Sequence, residues 1–217
     1  MKIEYFGHSC FRLTNEKGVA VLTDPYTKVG YELPNGLKTN IVTISHSHFD
    51  HNHTSVLSGA YEAVNSDGCH EKQGISIEGV KSWHDPKQGA LRGENIIFCM
   101  EIDGLKVCHF GDLGEEYFEK FDGILGGTDI FLIPVGGTYT IDAGQAKEYI
   151  ERLQPKCVIP MHYLPEDGRL DIAPIDSFLN LFNETEILHA PNGVMKINKD
   201  TLNGWGKKIL YMERKRV

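Results

Sequence analysis

Four of the ten histidines, His46, His48, His51 and His53, crowd into one short stretch, Ser45-His46-Ser47-His48-Phe49-Asp50-His51-Asn52-His53. In an extended segment, residues two apart project to the same side, so His46 and His48 can address one cation together. Asp50 and His51 follow a turn and can address a second. Imidazole and carboxylate together suit a borderline-soft divalent ion such as Zn²⁺, and a catalytic ion takes about three protein ligands with a position left for water. The stretch offers two donors to each ion, so the rest must come from distant sequence. His84, Asp112 and His162 each lie just beyond an apolar run. Counted out, His46, His48 and His84 serve one ion and Asp50, His51 and His162 the other, with Asp112 able to bridge. Two such ions about 3.5–4 Å apart can share a hydroxide, because their combined charge lowers the pKa of water from about 16 toward about 7. The bridging hydroxide would attack a carbonyl carbon or a phosphorus with no Ser or Cys nucleophile, and Asp50 and Asp112 are the residues placed to orient it.

The elements that must carry these residues are legible as short apolar runs. Runs at 2–5, 10–13 and 19–23, separated by turn-forming residues, read as an antiparallel meander. The run 41–44 leads straight into the histidine-rich loop. Further strand-like runs cover 75–83, 95–101, 105–110, 130–134, 156–160, 186–189 and 194–197. Apolar residues at Ala143, Ala146, Tyr149, Ile150 and Leu153 keep helical spacing over 143–153, with Pro155 as a stop, and 172–182 gives a similar pattern. Strands early and strand-helix alternation late predict two sheets with helices on the outer faces. Ligands at strand ends along one sheet edge match the place where layered α/β folds gather catalytic groups.

Composition narrows the function. In 217 residues, 30 Asp and Glu against 22 Lys and Arg leave a net charge of −8, which argues against a nucleic-acid partner, whose binding rests on clustered cations. A small-molecule substrate is expected instead. No apolar stretch approaches a membrane span, and residues 1–11 alternate rather than form a signal-type run, so a cytoplasmic location is the expectation. Five cysteines without a C-x-x-C pair predict neither a disulfide framework nor a zinc knuckle. Cys108 beside His109 is expected to be a buried core cysteine, since neighbouring strand residues face opposite ways.

Taken together, Gly7-His8-Ser9-Cys10-Phe11, Leu22-Thr23-Asp24-Pro25, His46 to His51, Trp83-His84, His109-Phe110-Gly111-Asp112 and Pro160-Met161-His162-Tyr163 resemble the metallo-β-lactamase superfamily over nearly the whole chain. The set is most similar to its small stand-alone metal-dependent hydrolases, relatives of the ascorbate-6-phosphate lactonase group. The resemblance implies an α/β fold, a four-layer αββα sandwich of two mixed sheets with helices outside, as one domain over 1–217. It implies a hydrolase of an ester, lactone or phosphodiester with a binuclear centre, zinc first and Mn²⁺ or Fe²⁺ as alternatives. It also sets Asp24 behind the metal-binding loop, with His8, His53 and His109 near the site. Electron-transferring relatives bind di-iron through a more carboxylate-rich first site, so a redox protein is the rival reading, and a metal-binding sensor without turnover is a third. The chain is too short for the extra recognition domains of larger relatives. Loops 28–38, 88–94 and 136–141 are left to choose the substrate, and Gly136-Gly137-Thr138-Tyr139 reads as either a set of oxyanion donors or a plain turn.

Overall fold

A computed structural model describes residues 1–216. The opening meander appears as β1 (Lys2–Gly7), β2 (Cys10–Thr14) and β3 (Ala20–Thr23), followed by β4 (Ile41–Thr43) and β5 (Glu62–Val64). Then come β6 (Gly68–Lys72), β7 (Ile75–Trp83), β8 (Glu94–Ile102), β9 (Leu105–His109), β10 (Ile130–Pro134), β11 (Cys157–Met161), β12 (Ile187–Ala190), β13 (Val194–Lys196) and β14 (Lys208–Met212). Four helices, α1 (Asp122–Leu125), α2 (Ala143–Leu153), α3 (Asp176–Leu179) and α4 (Lys199–Trp205), lie among the later strands. The strands form a six-stranded sheet ordered β13-β1-β2-β3-β4-β5 and an eight-stranded sheet ordered β12-β14-β11-β10-β9-β8-β7-β6. Both sheets are mixed, and one continuous core joins Ile3, Val21 and Ile41 of the first to Ile97, Val107, Leu132 and Ile159 of the second.

Strand direction explains why the chemistry collects at one edge. Strands β1 and β3 run the same way because each is antiparallel to β2, and β4 is parallel to β3. Likewise β7 runs with β9 because each is antiparallel to β8, while β10 and β11 are parallel to β9. His8, Asp24 and the loop that begins at Ser45 therefore leave one end of the first sheet. His84, Asp112 and His162 leave one end of the second.

Helix α2 forms over the expected residues. Asp142 caps it by accepting from Gln145 N at 2.9 Å while the Gln145 side chain accepts from Asp142 N at 3.0 Å. Its buried residues are Ala146 and Tyr149. The helix expected over 172–182 shortens to α3, because Ala173 N donates to Gly136 O and Pro174 bridges to Leu164, which commits that stretch to extended backbone. The helical layers are thin. Beside the outer face of the six-stranded sheet, loop residues Tyr26, Val29, Leu33 and Leu37 pack with Phe6, Cys10 and Leu22 in a second apolar cluster. Elements β5, β6, α1, α4 and β14 are additions to the expected set.

Cysteine pairing departs from expectation too. Cys99 and Cys108 are register partners on β8 and β9 and are joined as a disulfide. Spacing along the chain cannot announce a bond made across an antiparallel register. Cys108 is nonetheless buried as expected. No helix among the described residues is long and apolar enough to cross a membrane.

A buried carboxylate ties the chain's two ends together. Glu4 on β1 is bound by Arg12 Nε at 2.8 Å, Lys2 Nζ at 3.0 Å and Lys215 Nζ at 2.7 Å. Burial alone would raise its pKa, but hydrogen bonds from Arg12, Lys215 and Lys2 hold it down at about 2. A depressed folded-state pKa contributes stability that is present above the ordinary carboxylate value of 4.5 and lost as pH falls toward 2. Glu4→Gln is expected to cost about 2 kcal/mol at pH 7, allowing for the solvent screening of its two lysines. Urea denaturation should show that difference shrinking between pH 4.5 and 2; a constant difference across that window would contradict the role.

Candidate metal centre

The seven side chains singled out as cation donors meet at the shared sheet edge, arranged around Asp112. Its Oδ2 lies 3.1 Å from His51 Nε2, 3.3 Å from His84 Nε2, 3.3 Å from His162 Nε2 and 3.9 Å from His46 Nε2. His48 completes a group with His46 and His84, with ring centroids 4.6 Å and 5.1 Å away. Asp50, His51 and His162 form a second group, and His8 stands inside it. His8 Nε2 is 3.2 Å from His51 Nε2 and 3.5 Å from Asp50 Oδ2. Sequence reasoning set His8 only near the site, because its ring direction depends on a left-handed backbone, φ 54°, that ends β1.

Behind the cluster, acceptors fix which ring nitrogen faces inward. Asp24 is buried, with Oδ1 accepting from Ser45 N at 2.8 Å and Oδ2 from Ser45 Oγ at 2.5 Å and His51 Nδ1 at 2.8 Å. A carboxylate only accepts, so His51 carries its proton on Nδ1 and presents Nε2 to the centre. Ser45 Oγ gives its proton to Asp24 and so accepts from His46 Nδ1 at 2.9 Å. His84 Nδ1 donates to Tyr139 O at 3.0 Å. Asp112 N donates to Asn95 Oδ1 at 2.9 Å, and the Asn95 amide donates to Ser82 Oγ and Phe110 O.

Two of the expected neighbours stand apart. His109 is buried and donates from Nε2 to Ser9 O at 2.8 Å, which braces the turn carrying His8 without joining the cluster. Among the described residues the His53 ring hydrogen-bonds only with the Ser55 hydroxyl. The Gly136–Tyr139 segment is a turn: Gly137 N donates to Ile141 O and Tyr139 N to Gly137 O, which spends those donors internally. Ser45, Asn95 and Tyr139 supply support that motif spacing did not assign. Ser45 sits between an apolar run and the histidine loop, and that position was the one available signal.

The electrostatics describe a cation cradle. Burial lowers His46 to about 2, with His51 adding to the shift, and lowers His8 to about 4, with His162 adding. Burial also lowers His84. These rings are neutral at neutral pH, the form that ligates a metal. Burial resists ionisation of Asp112, yet His162 and His51 beside it hold its carboxyl well below the usual range. Against burial, Asp112 and Asp24 raise His51. Two buried atoms of these donor residues, His46 Nε2 and Asp112 Oδ1, have no hydrogen-bond partner among the described residues. A lone-pair nitrogen and a carboxylate oxygen left so are donors suited to a positive ion.

Comparison with known proteins identifies the family and the fold. A family model described as the β-lactamase superfamily domain matches residues 2–162. A UPF0173 metal-dependent hydrolase of Thermoplasma acidophilum is 32% identical over 193 residues, covering 75% of this chain and 83% of that protein. Among solved structures, a candidate Zn-dependent hydrolase of the metallo-β-lactamase superfamily from Thermotoga maritima is 34% identical, covers 98% of both chains and superposes with a TM-score of 0.79. CmlA, a diiron β-hydroxylase from Streptomyces venezuelae, shares the fold at 14% identity and a TM-score of 0.62, over 99% of this chain and 53% of its own.

Proposed function

This chain belongs to the β-lactamase superfamily as a metal-dependent hydrolase with the metallo-β-lactamase fold, and from that premise we propose that its centre holds two divalent ions and cleaves an ester, lactone or phosphodiester. His46, His48 and His84 would hold one ion, Asp50, His51 and His162 the other, and Asp112 would lie between them. His8 is a further donor on the second side. When bound, the ion pair would supply an ionised water at neutral pH and a Lewis acid for the developing negative charge. Zinc is the first expectation, because the first group is three imidazoles and the second adds a carboxylate. The fold also carries diiron chemistry in CmlA, so donor types rather than architecture favour zinc here.

The chain's own residues do the positioning. Asp24 keeps the His51 proton on Nδ1, Tyr139 O keeps the His84 proton on Nδ1, and Ser45 does the same for His46, so three Nε2 lone pairs converge on one space. Asp50 and Asp112 offer carboxylate oxygens to orient the attacking water. The observation that carries the reading is Asp112 Oδ2 within 3.3 Å of three imidazole nitrogens delivered by three separate segments.

The test is metal content by elemental analysis together with a panel of chromogenic esters, lactones and phosphodiesters, run on metal-loaded and chelator-stripped protein. Turnover confined to the loaded protein is expected; equal turnover by both would end the reading. Iron with visible absorption and no hydrolysis would favour redox chemistry instead. Asp24→Asn probes the support behind the ligands. An amide in place of the carboxylate sets an N–H or a weaker acceptor against His51 Nδ1, so metal affinity should fall about 10- to 100-fold. A competition titration against a chromogenic chelator would measure that, and an unchanged affinity would remove Asp24 from the site.

A further inference from the structure

The mouth of the centre differs from the rest of the surface. Among the described residues six large apolar side chains are exposed, and three of them belong to segments that touch the donor histidines: Phe49 at 54%, Leu91 at 59% and Tyr139 at 37%. Phe49 lies between His48 and Asp50 in the chain. Leu91 N donates to Asp85, the buried residue after His84, and Tyr139 O holds His84 Nδ1. The His48 and His84 rings are 5.1 Å apart, so the segments that carry these aromatic and aliphatic groups meet at the centre.

Each aromatic ring carries a cation. Lys28 Nζ is 5.9 Å from the Phe49 centroid, and Arg92 Cζ is 5.5 Å from the Tyr139 centroid. Among the described residues neither cation has a carboxylate partner within ion-pair distance. Arg92 is fixed in place: its Nη2 donates to Thr138 O at 3.0 Å, and the loop bearing it is wound onto Asp85, whose carboxylate accepts from the backbone of Lys87, Gly89, Leu91 and Arg92. Lys28, Gln88 and Thr138 all adopt left-handed backbone, φ 63°, 56° and 58°, a conformation that costs about 1 kcal/mol or more in a non-glycine residue. The three loops that carry these rings and cations thus each hold a left-handed, non-glycine residue. On a chain of net charge −8, cations without an acid partner beside the donor segments select for negative charge.

We propose that the substrate of this centre is an amphipathic anion. Its apolar body packs on Phe49, Leu91 and Tyr139, and a carboxylate or similar small oxyanion remote from the scissile bond pairs with Lys28 and Arg92. This rests on the hydrolase reading above and names its substrate class.

The experiment compares two chromogenic esters of equal acyl length on the metal-loaded protein, para-nitrophenyl hexanoate and the mono-para-nitrophenyl ester of adipic acid. The unaltered protein is expected to favour the anionic ester in kcat/KM by about tenfold at low salt, less so in about 0.5 M NaCl. Lys28→Ala and Arg92→Ala should each lower that ratio about three- to tenfold, chiefly through KM and with the metal count retained. Phe49→Ala should weaken both esters. A ratio near one in the unaltered protein, or one unmoved by both cation substitutions, overturns the proposal while leaving the hydrolase reading intact. Should neither ester turn over, calorimetric titration with hexanoate and with hexanol decides separately. Hexanoate binding weakened by Lys28→Ala and Arg92→Ala, with hexanol unaffected, supports the anion site, and equal hexanoate binding by all three proteins refutes it.

Discussion

Replacing Asp112 with Ala is expected to remove metal and hydrolytic turnover together, with kcat/KM falling by roughly four orders of magnitude, the equivalent of about 5–6 kcal/mol. The size follows from its position. One oxygen of this buried carboxylate is shared among His51, His84 and His162, and the other has no hydrogen-bond partner among the described residues. Among the described residues no other acid reaches both donor groups, because Asp50 contacts His8 and His51 and Asp24 is turned to the back of the loop. Without Asp112, neutral imidazoles would have to hold two doubly charged ions with one carboxylate fewer between them. Asp112→Asn keeps the volume and removes the charge, so it separates electrostatics from packing and should also lose most of its metal. Both variants should keep the circular dichroism of the parent. Two ions per chain and parental turnover in the Ala variant would show that Asp112 is no part of the centre.

Why this site is so readable from the sequence is a matter of strand ends. Each donor follows an apolar run, and a run that stops at a polar His or Asp marks where a buried strand reaches the sheet edge. The direction of β7 relative to β9, which brings His84 to the same edge as Asp112, follows from two antiparallel pairings and is consistent with the hairpin at Asp103-Gly104. Helix α2 was legible because its apolar face and its stop at Pro155 agree. Other features depend on partners distant in the chain. Asn95 looks like an ordinary residue at the start of a strand, and its role appears only when Phe110, Ser82 and Asp112 close around its amide. The Cys99–Cys108 bond depends on register, and the truncation of the expected helix over 172–182 depends on Leu164 and Gly136. His8 falls between these cases: its motif is visible, but the left-handed turn that aims its ring is not.

Gly111→Ala should be strongly destabilising, at about 3 kcal/mol or more. Gly111 has φ 55°, where an L side chain is strained, and a Cβ there would overlap Asn95 Oδ1 and come within 2.5 Å of Ser45 Cβ. Neither neighbour can yield cheaply. Asn95 is held through both ends of its amide, and Ser45 is held by Asp24 through its backbone and hydroxyl. Moving Asn95 releases the backbone of Asp112; moving Ser45 releases Asp24 and His46. Gly74→Ala supplies the control, since Gly74 has φ 76° with no atom within 4 Å of the added Cβ. It should carry only the conformational cost, about 1 kcal/mol. Thermal denaturation is expected to separate the two by about 4–8 °C, given about 2–4 °C per kcal/mol in a chain of this size. Metal affinity should fall in Gly111→Ala alone, because the clash is passed to Asp112 and His46 through hydrogen bonds that Gly74 does not touch. Equal melting temperatures for the two variants would mean that the sheet edge relaxes around residue 111, and that the packing of Ser45 and Asn95 is not what positions the donors.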